Sequence, residues 1–98
     1  MPREPIPHLV PELVVEVLSP SNTVAEMSRK RKEYFTAGVL LLWEINPDAR
    51  TATVYTSPSD STVLNEQQIL TGDPVLPGFQ LALAVLFAQM DDPTSKPG

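Results

Sequence analysis

The stretch PELVVEVLSPSN, Pro11 to Asn22, carries the strongest structural signal in the sequence. Its centre, Leu13 to Leu18, is an almost continuous run of aliphatic and β-branched residues, which is typical of a strand covered on both faces. The run ends at a turn cluster, Ser19 to Asn22. One glutamate, Glu16, interrupts the apolar residues, and its burial is costly unless it is paired or bound to a cation. The stretch therefore predicts a buried strand with an acid that needs a partner.

The residues that follow predict a helix and a second strand. Thr23 and Glu26 have the spacing of a capping box, which favours a helix over residues 23–36. Gly38 is a natural stop for that helix. Residues 40–45, LLLWEI, form a second apolar run. A strand, a helix and a strand within about 35 residues predict one βαβ unit with parallel strands and a right-handed crossover.

The remaining segments predict a hairpin and a short terminal helix. Residues 51–56 alternate as a strand, and a five-residue polar connection, residues 57–61, precedes a returning strand at residues 62–64. We expect a loop at residues 72–78, a short strand at residues 79–81 and a helix at residues 82–90. The predicted fold class is α/β (α+β) with a mixed sheet. The predicted organisation is a proline-rich lead at residues 1–11, one domain at residues 12–90 and a polar tail at residues 91–98.

Composition limits the classes of function. The chain has 98 residues, a formal net charge of −5 and no cysteine. These values predict one domain without thiolate chemistry, in a reducing cytoplasm. Residues 1–11 lack a secretory pattern, and no apolar stretch approaches the roughly 20 residues that span a bilayer, so we expect no membrane partner. The negative charge disfavours general nucleic-acid binding, although metal-dependent nucleases need acidic sites.

The sequence resembles the Uma-two (Uma2) family of putative restriction endonucleases, within the PD-(D/E)XK nuclease superfamily. The resemblance begins at PELVVEVLSPSN and continues in order over about four-fifths of the chain. It includes Lys30 and Tyr34, then AGV at residues 37–39, Trp43, Asn46-Pro47 and LPGFQL at residues 76–81. It implies a restriction-endonuclease-like core and a metal-dependent endonuclease that hydrolyses DNA.

The resemblance also implies a set of site residues. Glu16 matches the acid of the superfamily's E-x-K half-motif, whereas Leu18 stands where the lysine of that motif would be. Lys30, on the following helix, matches the lysine that replaces it, so Glu16 and Lys30 are the candidate catalytic residues. Glu16 and the backbone carbonyl of Val17 are the candidate ligands of Mg²⁺ or Mn²⁺, which prefer oxygen ligands. Ser19 and Ser21, close to a helix N-terminus, are candidate phosphate contacts.

Each site residue has a structural alternative. Glu16 is either a site residue or a partner in a structural ion pair. Lys30 lies in the run Arg29 to Lys32, and such runs are usually a solvated helix face. Glu44 would approach Glu16 if the two apolar strands pair in register, but pairing of Glu44 with Arg31 or Lys32 is the favoured alternative, because buried acids normally need a partner. Trp43 is predicted to be a core residue, and His8 is assigned no role.

One part of the superfamily pattern has no counterpart. The first acid, an aspartate after a proline on an earlier hairpin, is missing, which suggests truncation at the N-terminus. Glu12 does not replace it, because it lies about 13 Å from Glu16 along an extended strand. Two functions therefore stay open: an endonuclease with an incomplete site, or an inactive remnant that serves as an oligomerisation or interaction module. The two apolar strands predict a sheet that is buried on both faces, but the sequence predicts only one substantial helix to cover it. We therefore expect exposed apolar surface and a homodimer that covers it.

Overall fold

A computed structural model describes residues 10–91. Most of the predicted lead (residues 1–11) and of the polar tail (residues 91–98), as well as His8, lie outside the described residues. The elements, in chain order, are β1 (Leu13–Val17), α1 (Val24–Ala37), β2 (Leu41–Asn46), β3 (Thr51–Ser57), β4 (Asp60–Asn65), β5 (Ile69–Gly72), β6 (Leu76–Ala82) and α2 (Leu83–Asp91). In this part of the chain, neither helix has the length and apolarity that a membrane span requires.

A mixed four-stranded sheet forms the centre of the fold, in the order β1-β2-β3-β4. β1 and β2 are parallel, whereas β3 pairs antiparallel with both β2 and β4. The parallel βαβ unit predicted from the two apolar runs is thus confirmed. In this pairing Glu16 stands directly opposite Glu44.

The local signals around α1 are confirmed. Thr23 is the N-cap: its hydroxyl accepts the Glu26 N–H at 3.0 Å, and the Glu26 carboxylate accepts the Thr23 N–H at 3.3 Å. Gly38 follows the last turn with φ 116°, a conformation that side chains with a Cβ rarely adopt. These caps fix both ends of the helix and therefore its position along β1 and β2.

The β3–β4 hairpin is tighter than the sequence predicts. Ser57 pairs with Asp60, so the loop consists of Pro58 and Ser59 and the five-residue connection is wrong. The physical reason is the Ser57 hydroxyl, which accepts the backbone N–H groups of Ser59 and Asp60 and donates to the Asp60 carboxylate at 2.9 Å. Side-chain bonds of this kind stabilise a tight turn that a count of polar residues does not reveal.

A second sheet, β5-β6, replaces most of the predicted loop at residues 72–78. β6 begins at Leu76 and is longer than the short strand predicted at residues 79–81, and β5 was not predicted. Gly72 permits the close approach of the two strands, because a Cβ there would lie 2.8 Å from the Cβ of Leu76.

The core lies between the two sheets and α2. Its buried members are Leu41, Trp43, Ile45, Ala52, Leu70, Leu83 and Phe87. Trp43 is a core residue as predicted, with its ring centroid 5.6 Å from that of Phe79. Helix α1 lies against the other face of β2, where Arg31 contacts Glu44. The expected exposed apolar surface is found on β1, where Val15 and Val17 are 50% and 53% exposed.

Candidate active site

Glu16 lies on the face of β1 that α1 covers, and two side chains of α1 contact its carboxylate. The Lys30 ammonium lies 3.7 Å from Glu16 Oε1. The Tyr34 hydroxyl donates a hydrogen bond to Glu16 Oε2. Glu16 remains 21% exposed and Lys30 34% exposed, so solvent and ions reach the pair. The structure therefore brings together Glu16 and Lys30, the two residues that the family resemblance implies as catalytic.

Two periodicities create this cluster. Strand residues alternate between faces, so Glu16 and Glu44, which stand opposite each other in the parallel pair β1–β2, point to the same side of the mixed sheet. Lys30 and Tyr34 are four residues apart on α1 and therefore share one helix face. The sequence pointed to Tyr34 only through the family resemblance, and its hydrogen bond to Glu16 was not predicted. The four-residue spacing from Lys30 was the available signal.

Tyr34 acts as a fixed hydrogen-bond donor. The hydrogen bond to Glu16, with burial as a second cause, raises the pKa of Tyr34 to about 12. A phenol with that pKa keeps its proton at neutral pH and does not serve as a base there. Tyr34 thus fixes one oxygen of Glu16 while Lys30 lies beside the other.

Glu44 belongs to a separate ion pair. It is 4% exposed, and Arg31 binds both carboxylate oxygens, with Nε 2.7 Å from Oε2 and Nη2 3.1 Å from Oε1. The predicted pairing of Glu44 with Arg31 is confirmed. This hydrogen bonding raises the pKa of Arg31 above its ordinary value. The guanidinium also lies 4.6 Å from the centre of the Tyr55 ring, whose hydroxyl has a raised pKa, mainly through burial and then through the Glu44 charge.

The Val17 carbonyl lies on the outer edge of β1. The Leu18 N–H donates to the Ile45 carbonyl at 2.8 Å, and the Glu12 carbonyl accepts the Leu41 N–H at 3.0 Å. Backbone groups of successive strand residues alternate in direction, so the even-numbered residues of β1 bond to β2. The N–H and C=O groups of Leu13, Val15 and Val17 consequently point away from the sheet. This direction leaves the Val17 carbonyl available as a ligand.

A cleft of about 280 Å³ opens where β1 and β2 end, beside the N-terminus of α1. We call it the strand-end cleft; its polar lining comprises Ser19, Asn22, Thr23, Arg31, Glu44, Asn46 and Asp48. The described lining includes neither Glu16 nor Lys30, so the cleft adjoins the predicted site without containing it. Ser21 also lies outside the lining, with its hydroxyl 2.9 Å from that of Ser19.

The donor set suits a divalent cation only in part. Within residues 10–91, no three Asp, Glu or His side chains are grouped to hold a metal. Both Glu44 oxygens are bound by Arg31, which leaves the Glu16 carboxylate and the Val17 carbonyl. Magnesium commonly uses one or two carboxylates and completes its shell with water and substrate phosphate. The two oxygen donors suit a magnesium ion that takes most of its ligands from water and phosphate, but they do not form a metal site made of protein ligands alone.

Comparison with known proteins adds a family match. The family model described as Uma2, putative restriction endonuclease, matches residues 2–84. A solved structure, a putative nuclease belonging to DUF820 from Anabaena variabilis ATCC 29413, matches with a TM-score of 0.69 and 20% sequence identity. The match covers 79% of this chain and 44% of that chain, so this chain spans less than half of its neighbour's length. At this identity the match confirms the fold alone. No curated protein matches the sequence.

Proposed function

The chain belongs to the Uma2 family of putative restriction endonucleases, and from this premise we propose that it hydrolyses phosphodiester bonds of DNA with the help of Mg²⁺ or Mn²⁺. The observation that carries the proposal is the contact of Glu16 with Lys30 at a partly exposed strand position. A carboxylate beside an ammonium group is the charge arrangement that a bound cation and a phosphate require. The absence of cysteines supports a reducing cytoplasm as the location.

Glu16 and the Val17 carbonyl would hold the cation, with water and phosphate oxygens as its remaining ligands. When bound, the cation supplies Lewis acidity and lowers the pKa of a coordinated water. A carboxylate has about four lone-pair positions. The contacts with Lys30 and Tyr34 therefore leave part of the Glu16 acceptor capacity for a ligand.

Lys30 would offset the negative charge that builds up on the phosphate during cleavage. Its ammonium is a compact charge on a flexible stem, and its partial exposure lets it turn from Glu16 towards a substrate. Preorganised charge of this kind is usually a large part of the rate enhancement of an enzyme. Tyr34 would position the Glu16 carboxylate without exchanging a proton.

The strand-end cleft would accept the adjoining phosphate backbone. Ser19 lines the cleft and lies beside the α1 N-terminus, where backbone N–H groups favour an anion. Ser21 would support Ser19 through their hydroxyl contact. Asp48 and the net charge of −5 oppose DNA binding, so we expect weak, salt-sensitive affinity.

A plasmid-nicking assay with Mg²⁺ tests the proposal. Glu16→Gln and Lys30→Ala should each remove activity, because one loses the ligand charge and the other the cation beside the phosphate. The matched controls are Glu33→Gln and Lys32→Ala, which change exposed residues of α1. Activity that survives in both site variants would refute the assignment of Glu16 and Lys30.

A non-catalytic interaction module is the second candidate. Its specific support is the Arg31–Glu44 pair, which removes Glu44 as a possible metal ligand. The outer edge of β1, which has no neighbouring strand within residues 10–91, also supports it. This candidate predicts no nicking by the wild-type protein at any Mg²⁺ or Mn²⁺ concentration. The same assay therefore separates the two functions.

A further inference from the structure

We propose that the strand-end cleft binds one unpaired nucleobase that carries an exocyclic amino group. The proposed function puts a phosphate of DNA at Glu16 and Lys30, beside this cleft, and the inference rests on that function for the source of the base. The lining of the cleft combines apolar side chains with hydrogen-bonding groups. A nucleobase presents the same combination, because its two faces stack on apolar groups and its edge forms hydrogen bonds.

The apolar lining consists of Leu18, Pro20, Val24 and Met27. Val24 is 85% exposed, the highest exposure among the large apolar side chains of residues 10–91. It stands in the first turn of α1, where acidic and polar residues are usual. Met27 is buried, and its flexible thioether adapts to the shape of a bound ring. These side chains would cover the faces of a base and lose exposed apolar area themselves.

The hydrogen-bonding part of the lining carries one uncompensated charge. Arg31 and Glu44 neutralise each other. The Asp48 carboxylate, by contrast, has no ion-pair or hydrogen-bond partner within residues 10–91. Asp48 would repel a phosphate but attract the N–H groups of a base, and an aspartate is a suitable acceptor for the amino group of cytosine.

The turn that carries Asp48 is held at both ends. Asn46 Oδ1 accepts the Ala49 N–H at 3.0 Å. Arg50, which has a positive φ of 58°, forms an ion pair with Asp91 at the end of α2. Because the turn is already ordered, a contact between Asp48 and a ligand costs little conformational entropy.

The size of the cleft limits its occupant. Pockets that bind drug-sized molecules commonly enclose about 300–1,000 Å³. A cleft of about 280 Å³ therefore suits one base and not a stacked duplex. The base has to leave the helical stack, as it does in enzymes that extrude a nucleotide. A bare cation is a poorer occupant, because no three acidic or histidine side chains of residues 10–91 are grouped to hold a metal.

Two uncharged nucleosides test the inference without DNA cleavage. Deoxycytidine carries an amino group at position 4 of its ring, and deoxyuridine carries a carbonyl oxygen there. In titrations of the full chain followed by backbone NMR shifts, deoxycytidine should cause saturable shifts at the Val24, Met27 and Asp48 amides. We expect a dissociation constant on the order of millimolar for so small a ligand. Deoxyuridine should bind at least about fivefold more weakly, because it cannot donate from that position.

Three variants separate the two parts of the lining. Asp48→Ala should give deoxycytidine and deoxyuridine nearly equal affinity, because the acceptor of the amino group is lost. Glu33→Ala removes the same charge from an exposed position of α1 outside the cleft and should keep the preference. Val24→Ala should weaken both nucleosides equally, by about twofold to threefold, because apolar contact does not depend on the amino group.

A comparison of strand and duplex tests the requirement for an unpaired base. A single strand of six deoxycytidines should shift the same amides, whereas a blunt hairpin duplex should bind at least about tenfold more weakly, since a paired base must first be extruded. Equal binding of strand and duplex would overturn the proposal. So would no saturable response to deoxycytidine, equal affinity of the wild type for both nucleosides, or an undiminished preference in Asp48→Ala.

The inference and the proposed function fail separately. Glu16 does not line the cleft, so Glu16→Gln should abolish DNA nicking and leave deoxycytidine binding unchanged. Loss of deoxycytidine binding in Glu16→Gln would contradict a base site in the strand-end cleft.

Discussion

Glu16 and Glu44 stand directly opposite each other in the parallel pairing of β1 and β2, but different residues of α1 neutralise them. Arg31 binds both oxygens of Glu44, which is 4% exposed. Lys30 contacts Glu16 at 3.7 Å, where both side chains remain partly exposed. One acid is therefore committed to the structure, and the other retains the access that a metal site needs.

The Arg31–Glu44 pair predicts that removing one partner lowers stability more than replacing both partners does. Arg31→Met should lower the free energy of unfolding by about 3–5 kcal/mol, because it leaves a buried, unpaired carboxylate. The double variant Arg31→Met/Glu44→Leu should recover most of that loss, since apolar replacement of a buried pair is often neutral. Urea unfolding followed by Trp43 fluorescence measures both changes.

The exposed pair Arg29–Glu33 provides the control for that measurement. Its charged groups are 3.7 Å apart and both side chains are 67% exposed. Arg29→Ala should therefore cost less than about 1 kcal/mol. If Arg31→Met cost no more than Arg29→Ala, the buried pair would not have the structural role described above.

Tyr34 predicts a loss of stability at high pH. Its pKa is 10.0 as a free phenol and about 12 in the folded protein, mainly because of the hydrogen bond to Glu16. The folded state holds the Tyr34 proton more tightly than the unfolded state does. This proton therefore contributes to the free energy of unfolding fully below pH 10, and the contribution is lost as the pH rises to about 12. Phenolate absorbance in a Tyr55→Phe background should show the late titration. Glu16→Gln should move it to lower pH, and an unchanged titration would contradict the Tyr34–Glu16 bond.

The position of Leu18 predicts a rescue. It is two residues after Glu16 and lies on the same face of the strand, where the superfamily's usual lysine would stand. We expect Lys30→Ala to abolish nicking and Lys30→Ala/Leu18→Lys to restore part of it. Lys30→Ala/Val17→Lys is the matched control, because residue 17 points to the opposite face. Equal rescue at both positions would contradict a specific lysine site.

The sequence predicted those parts of the fold that are set by local patterns. The LVVEVL run, the Thr23–Glu26 capping box and Gly38 each act over a few residues, and β1, α1 and β2 formed where these signals placed them. The β5–β6 sheet was missed because residues 69–82 contain two glycines and two prolines, which indicate a loop. Its pairing depends on the close contact of Gly72 with Leu76 and on packing against the core.

The candidate site was also predictable only in part. The cost of burying Glu44 led to the expectation that Arg31 or Lys32 pairs with it, and the structure shows that Arg31 does. The family resemblance singled out Lys30, and its ammonium lies 3.7 Å from Glu16 Oε1. The hydrogen bond from Tyr34 to Glu16 was missed because Tyr34 was named only for its place in the family pattern. The direction of the Val17 carbonyl depends on the hydrogen-bond phase of β1, which no residue type encodes.

A magnesium titration followed by backbone NMR shifts tests the central claim most directly. We predict saturable shifts at the Glu16 and Val17 amides in the millimolar range, their loss in Glu16→Gln and their retention in Glu33→Gln. An unsaturated response throughout that range, or shifts that persist in Glu16→Gln, would contradict a metal site at Glu16.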